Sequence, residues 1–439
     1  MFLTNFLYNL LVAKKQSRLS QPEVIQLQKM KFHKLVQYVG LKSPYYKNII
    51  NKYHINIYNC KPQDFPILTK TDVINNFDSI ITDSKINFKD ITEFLKHSQN
   101  PLDLYLNKYY VIHTSGSTGV PGYYIFNQQE FIEGVVNIVF GNNFKLFQKM
   151  AFIGSTDGHF AGITMTTLAQ KMPFLYREIK TFDTNLPLQN IIDGLNSMQP
   201  SIISGYVFML RILAEAQKAG KLHIKPQIIQ SGGEPLYKRD KDFIEKIFST
   251  TITNVYASSE NLIMGIGKDK FKGMYLMDNN LIFEITSDKT LVTNLFNYTL
   301  PLIRYQMTDR MKLIEDTTRL LPFTKVANVE GRHEHVPTFI NNLGKIDFVN
   351  PLDLMDITSK HMDKLQIHII NKKNFIIKIT LIPDTSKSAE KDTLKIIYDQ
   401  MRALLDKKAM TNVRFKVEVV DHLWADPKTG KYQYVKIMQ

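Results

Sequence analysis

The sequence predicts an α/β chain of more than one domain (multidomain α+β): a large N-terminal layered α/β part with a β-rich subdomain, and a small C-terminal α+β unit. Three observations carry this reading. Between residues 111 and 300, short apolar runs alternate with helical segments, as they do where sheet strands are joined by packed helices. Within and just after that stretch, short β-type runs follow one another between 281 and 314, and the last hundred residues read strand, strand, helix, strand. At 439 residues the chain also exceeds what one hydrophobic core usually organises.

Taken in order, residues 1–13 are apolar, with Phe2, Phe6, Leu10 and Ala13 at helical spacing beside Leu3, Leu7 and Leu11. The segment is too short to span a bilayer and lacks the basic start and small-residue cleavage site of a leader. A docked amphipathic helix is expected there, with loose membrane contact as the alternative. Residues 18–60 read as helical: Phe32, Leu35, Val36 and Val39 make one stripe, and Pro44 and Pro62 punctuate it. Runs at 151–154, 201–204 and 227–230 read as strands, and 207–217 as a helix between two of them. Further β-type runs lie at 281–285, 289–293 and 311–314. In the last unit, 365–369 and 375–379 read as strands, and Leu394, Ile397, Met401 and Leu404 line one helix face. Val413, Phe415, Val417 and Val419 then alternate with charged residues at period two. The expected boundary is at Glu330-Gly331, dividing 1–330 from 331–439.

Composition narrows the class. With 44% hydrophobic and 22% charged residues the chain reads as an ordinary globular protein rather than a disordered one. One cysteine, Cys60, excludes an intrachain disulfide and a cysteine-based zinc cluster, and fits a reducing, cytoplasmic setting. The net charge of +14 invites a nucleic-acid reading, yet no run of five or more basic residues occurs. Spread lysines suit general enrichment or attraction of polyanionic ligands better, so no nucleic-acid partner and no stable membrane insertion are expected.

The most informative stretch is Val111-Ile-His-Thr-Ser-Gly-Ser-Thr-Gly-Val-Pro-Gly122. Its small and hydroxylated residues let backbone N–H groups and hydroxyls approach phosphate oxygens. It is not a Walker loop, because no Lys-Ser/Thr pair follows Gly116 or Gly119. Alone it also reads as a surface turn. Further on come Ser231-Gly-Gly-Glu-Pro-Leu236, Asn254-Val-Tyr-Ala-Ser-Ser-Glu260, Pro301-Leu-Ile-Arg-Tyr-Gln-Met-Thr-Asp309, Glu330-Gly-Arg332 and Thr429-Gly-Lys431.

This ordered series resembles the adenylate-forming superfamily of acyl-CoA synthetases, luciferases and adenylation domains. The phrases Ser43-Pro-Tyr-Tyr46, Phe65-Pro-Ile-Leu-Thr-Lys70 and Gly205-Tyr206 are most similar to its phenylacetate–CoA ligase branch, which includes capsule-biosynthesis adenylating proteins. The resemblance covers roughly residues 30–435 and implies ATP, Mg²⁺ and CoA as cofactors or co-substrates. It implies that Thr114, Ser115, Gly116, Ser117, Thr118 and Gly119 wrap the β- and γ-phosphates. Gly232, Gly233 and Glu234 would border the adenine, Tyr256 would stack on it, Asp309 would hold the ribose hydroxyls, and Arg332 would contact the nucleotide near a hinge. Ser259 would reach the α-phosphate and Glu260 a metal ion. His159, Phe160 and Ala257 would line the acyl pocket. Lys431, with Lys428 and Lys436 as competitors, would be the catalytic lysine of a mobile 331–439 lid. One departure stands out: the family commonly has a lysine where this chain has Gly122.

The function so implied is ATP-dependent activation of a small carboxylic acid through an acyl-adenylate, then transfer to CoA. An amine or sugar-amine acceptor, giving an amide ligase, is the first alternative, and an inactive nucleotide-binding protein the second. Whether the chain forms a homodimer is left open.

Overall fold

The computed structural model describes all residues except 1, 115–121, 142–144, 157, 173, 287–288, 331–335, 350–352, 355–356, 424–433 and 439, and leaves the side chains of 2, 310 and 328–330 undescribed. The helices α1 (Phe2–Gln16), α2 (Gln21–Lys42) and α3 (Pro44–Lys52) open the chain. In α2 the predicted stripe Phe32, Leu35, Val36 and Val39 is buried. Ser20 starts that helix through a reciprocal capping box with Glu23. Ser43 ends α2 and caps α3, with Pro44 at its first position, where a missing N–H is harmless. The short helices α4 (Lys70–Asn75), α5 (Phe77–Ile80) and α6 (Phe88–His97) follow.

Strands β1 (Tyr109–His113) and β2 (Tyr123–Asn127) form an antiparallel hairpin whose connection is the Ser/Gly-rich stretch. Helix α7 (Gln128–Val135) leads into the parallel part of a nine-stranded sheet. There β3 (Gln148–Gly154), β4 (Tyr176–Asp183), β5 (Ile202–Gly205), β6 (Ile228–Gly232) and β7 (Ile252–Ser258) run parallel, joined by α8 (Ala161–Ala169), α9 (Leu188–Met198), α10 (Val207–Lys218) and α11 (Lys238–Phe248). Parallel neighbours need such crossovers. The sheet turns antiparallel with β8 (Leu262–Lys268) and β9 (Gly273–Leu276). After the three-stranded sheet of β10 (Leu281–Ile285), β11 (Thr290–Asn294) and β12 (Tyr305–Met307), strands β13 (Arg310–Leu313) and β14 (Lys325–Glu330) complete it. Its order is β13-β14-β9-β8-β7-β6-β5-β3-β4.

One apolar cluster fills the space between β3, β5, β6 and helices α9 to α11, with Ile153, Ile203, Leu195, Leu213 and Ile244 at its centre. A larger cluster joins α2, α3, the hairpin and β8 to the 292–307 segment.

The C-terminal region adds the pair β15 (Thr338–Ile340) and β16 (Ile346–Phe348), then β17 (Met362–Asn371), β18 (Asn374–Leu381), helix α12 (Lys387–Lys407), β19 (Arg414–Val419) and β20 (Val435–Ile437). The last four strands form one sheet ordered β19-β18-β17-β20. Helix α12 packs on it through Ile397, Met401 and Leu405, while Leu394 and Leu404 are only half-buried. Thus the helix face is rotated slightly from the one read in the sequence. Among the described residues no helix is long and apolar enough to cross a membrane.

Candidate active site

Ligands of parallel α/β sheets gather beyond the carboxyl ends of the strands. Those ends here carry Gly154, Gly205-Tyr206, Gly232-Gly233-Glu234 and Ser258-Ser259-Glu260, so three of the motifs meet along one edge. The hairpin lies beside it. Its neck is closed by Thr114, whose N–H donates to Gly122 O at 3.0 Å and whose Oγ1 accepts from Gly122 N–H at 2.9 Å. Residues 115–119 themselves lie outside the described residues.

Ser259 donates its hydroxyl to the carbonyl of His113 at 3.3 Å, joining the β7 end to the hairpin. The His113 N–H in turn donates to the carbonyl of His159 at 3.0 Å, and the His113 ring packs on Phe160 at 4.3 Å. Glu260 accepts from Tyr305 Oη at 3.4 Å, and Tyr124 Oη lies 3.0 Å from Tyr305 Oη. Burial first, and the Glu260 charge second, raise both phenols well above the ordinary tyrosine range. Both therefore stay protonated, so Tyr305 donates to the carboxylate and Tyr124 to Tyr305. Lys70, at the first turn of α4, is within electrostatic range of Glu260, while desolvation holds its ammonium below the usual lysine value.

Tyr256 and Asp309 also meet: the phenol donates to Asp309 Oδ2 at 2.9 Å. Ala257 follows Tyr256 at a shift in register between β7 and β8. Glu234 caps α10, accepting from Phe208 N–H at 3.0 Å, and burial pushes its carboxyl up to about 7. Gly233 has φ +76°, and a Cβ there would stand 3.0 Å from the Tyr206 ring, so glycine is required twice over.

His159 is buried, with Nε2 2.9 Å from Ser98 Oγ, and Ser98 donates to Asp103 Oδ2 at 2.6 Å. Because Asp103 can only accept, Ser98 must accept from Nε2–H, which fixes the tautomer. His159 Nδ1 is buried without a hydrogen-bond partner among the described residues. Desolvation pulls this imidazole down to about 4, so it is neutral.

Among the site residues expected from sequence, Arg332 and Lys431 lie outside the described residues, as does Lys428; Lys436 belongs to β20, on an edge strand of the C-terminal sheet. Sequence reading missed Lys70 as a charged neighbour of Glu260, His113 as the acceptor for Ser259, and the Ser98–Asp103 pair behind His159. Only Lys70 left a trace, as the end of a phrase already singled out. Among the described residues no three His, Cys, Asp or Glu side chains are gathered to hold a metal ion.

Two further motifs support the site from outside. Tyr46 Oη donates to Pro301 O at 2.9 Å and accepts from Ile303 N–H at 3.1 Å. Arg304 Nη1 donates to Phe65 O at 2.8 Å, and Leu68 exchanges backbone bonds with Arg304 and Gln306. Both N-terminal phrases thus brace the segment that ends in Asp309.

No family model matches the chain. A solved 2-hydroxyisobutyryl-CoA ligase, in complex with 2-HIB-AMP and CoA in its thioesterification state, superposes over 97% of this chain and 92% of its own, with TM-score 0.64 and 14% identity. The same ligase in its postadenylation state gives TM-score 0.59 over the same shares. The chain has the fold of that ligase. Protein CapK of Staphylococcus aureus is 24% identical over 316 residues, which is 66% of this chain and 63% of that relative, just under two thirds of its length. The edge just described is where the described parts of the separated motifs meet.

Proposed function

We propose that the chain activates a small carboxylic acid with ATP and passes the acyl group to CoA. A carboxylate acylates poorly because its leaving group would be an oxide. Its oxygen attacks the α-phosphorus, the bond to pyrophosphate breaks, and an acyl-adenylate forms. The CoA thiol then attacks the acyl carbon, AMP leaves with the bonding pair, and the thiol proton passes to solvent.

The observation that carries the reading is the meeting of Ser259-Glu260, Tyr256-Asp309 and the Thr114–Gly122 neck around one sheet edge. Residues 114–119 would wrap the β- and γ-phosphates, Gly232 and Gly233 border the adenine, Tyr256 face it and Asp309 take the ribose. Lys70 would supply the charge that Gly122 cannot. Glu260 would hold Mg²⁺, which takes one or two carboxylates together with substrate phosphates, so a single glutamate fits. That ion would neutralise phosphate charge. His159, Phe160 and Ala257 would shape the acyl pocket, and Arg332 and Lys431 would act from the hinge and lid of 331–439.

The test is ATP–pyrophosphate exchange across aryl, fatty and amino acids, followed by product analysis with CoA or amines. Lys431→Ala is expected to lose most exchange while keeping ATP affinity, because a lysine that swings in acts on the transition state. Asp309→Ala is expected to weaken ATP binding instead. Exchange with no acid at all would sink the reading; an amine as the productive acceptor would redirect only its second step.

A further inference from the structure

Helix α1 is apolar on nearly every side, and a helix of that kind needs cover all round. The protein covers half of it. Phe6 and Ala13 are buried and Leu10 half-buried against Ile132, Val136, Ala169 and Met172. Gln16 Oε1 accepts from Asn279 Nδ2 at 3.0 Å, fixing the end of the helix. On the opposite face Leu3, Leu7, Tyr8 and Leu11 stand 37%, 40%, 65% and 67% exposed. At 100° per residue these four fall within one arc, and Lys14 and Lys15 extend the same arc into the last turn. A surface helix ordinarily presents charge there. This one presents Leu3, Thr4, Leu7, Tyr8 and Leu11, mostly apolar, and then lysine.

The charge pattern identifies what covers it. Residues 1–22 contain no acidic side chain and three basic ones, Lys14, Lys15 and Arg18, all exposed. A second copy seated on the same face would bring no acidic side chain of its own α1 to pair with these basic groups, in a molecule already carrying +14. An anionic phospholipid surface takes the leucines into its headgroup boundary and the lysines among its phosphates. We propose that α1 docks the protein, lying flat, on an anionic membrane surface through Leu3, Leu7, Tyr8 and Leu11, with Lys14, Lys15 and Arg18 at the headgroups. This assignment is independent of the chemistry proposed for the sheet edge.

Co-sedimentation of the full chain with vesicles tests it. Binding is expected to phosphatidylcholine vesicles carrying about a third phosphatidylglycerol, falling as salt rises, with each basic residue worth roughly fivefold. Lys14→Glu/Lys15→Glu is expected to abolish the preference for anionic vesicles. Leu7→Asp/Leu11→Asp is expected to weaken binding at least about tenfold with circular dichroism unchanged. Should that double variant misfold, Leu11→Cys bearing an environment-sensitive dye serves instead, because Cys60 is buried. A blue shift of that dye on anionic vesicles supports the docking. Wild-type protein that ignores both vesicle types, or that binds through a face unaffected by these changes, overturns it. A dimer broken by Leu7→Asp/Leu11→Asp, without vesicle binding, would give the face to a second copy.

Discussion

Gly122 stands where the ligases that this chain resembles commonly carry a lysine, and the reason is a ring. A Cβ on residue 122 would come within 2.9 Å of Tyr124 Oη and 3.0 Å of its Cε2. Tyr124 cannot easily withdraw, since it is buried and its hydroxyl serves Tyr305, which serves Glu260. Gly122→Lys therefore adds a cation but crowds a packed tyrosine, an insertion that costs about 1–3 kcal/mol. The expected result is a lower melting temperature and slower, not faster, pyrophosphate exchange. Lys70→Met is expected to slow exchange at least about tenfold, the scale at which one oriented charge matters to a phosphate-centred transition state. If Gly122→Lys speeds exchange without loss of stability, Lys70 is not the compensating cation.

Among the elements, α3 shows how a remote helix governs the site. Tyr46 is wholly buried, and its hydroxyl satisfies both Pro301 O and Ile303 N–H. Tyr46→Phe keeps the ring and strands two buried backbone groups, each costing about 1–3 kcal/mol when unsatisfied. The urea midpoint should fall. ATP affinity should fall with it, because the loosened segment leads directly to Asp309. A variant with lowered stability and unchanged ATP affinity would separate the brace from the site. The phrase Ser43-Pro-Tyr-Tyr46 was visible in the sequence, but its partner lies 255 residues away and no local pattern announces it. Three of the parallel strands, β3, β5 and β6, were legible because each is a short apolar run followed by a helix. Strands β8 and β9 were not: β8 is buried for most of its length, so it does not alternate, and Gly265 and Gly267 dilute its β-type composition. Strand β4 was hidden for the opposite reason, since Arg177, Glu178 and Lys180 make it look like a loop. The order of the site motifs was readable, whereas the Ser98–Asp103 relay behind His159 depends on a tertiary contact across 61 residues.

At the scale of the whole molecule, Lys408 helps to pin the C-terminal region to the large sheet. Lys408, at the end of α12, is completely buried. Its ammonium donates to the carbonyls of Thr184 and Leu186 just beyond β4, lies 3.4 Å from Asp347 Oδ1, and sits 3.9 Å above the centre of the Phe348 ring. Asp347 in turn accepts from Leu188 N–H at 2.9 Å at the start of α9. Desolvation lowers the Lys408 pKa and Asp347 opposes it, so the charged pair survives burial only as a pair. Lys408→Ala would leave the Asp347 carboxylate without its cation and the carbonyls of Thr184 and Leu186 without this donor, and removing one partner of a buried pair typically costs about 3–5 kcal/mol. Asp347→Ala should also destabilise, because it removes the nearest carboxylate from a buried ammonium. The double variant should be markedly less destabilised than the sum of the two, which denaturant melts of all four proteins can measure. Asp353 gives the same junction a pH signature: burial, with Asp183 adding to it, pushes its carboxyl up to about 6. A carboxyl raised in the folded state adds stability below its unfolded value, and that stability is lost as pH rises through 6. Glu130 and Glu234, raised to about 7, and Asp278, raised to about 6, share that window, so Asp353→Asn should reduce the decline between pH 4 and 7 without abolishing it, and a melting curve that keeps its full slope in that variant would assign the titration to the other three.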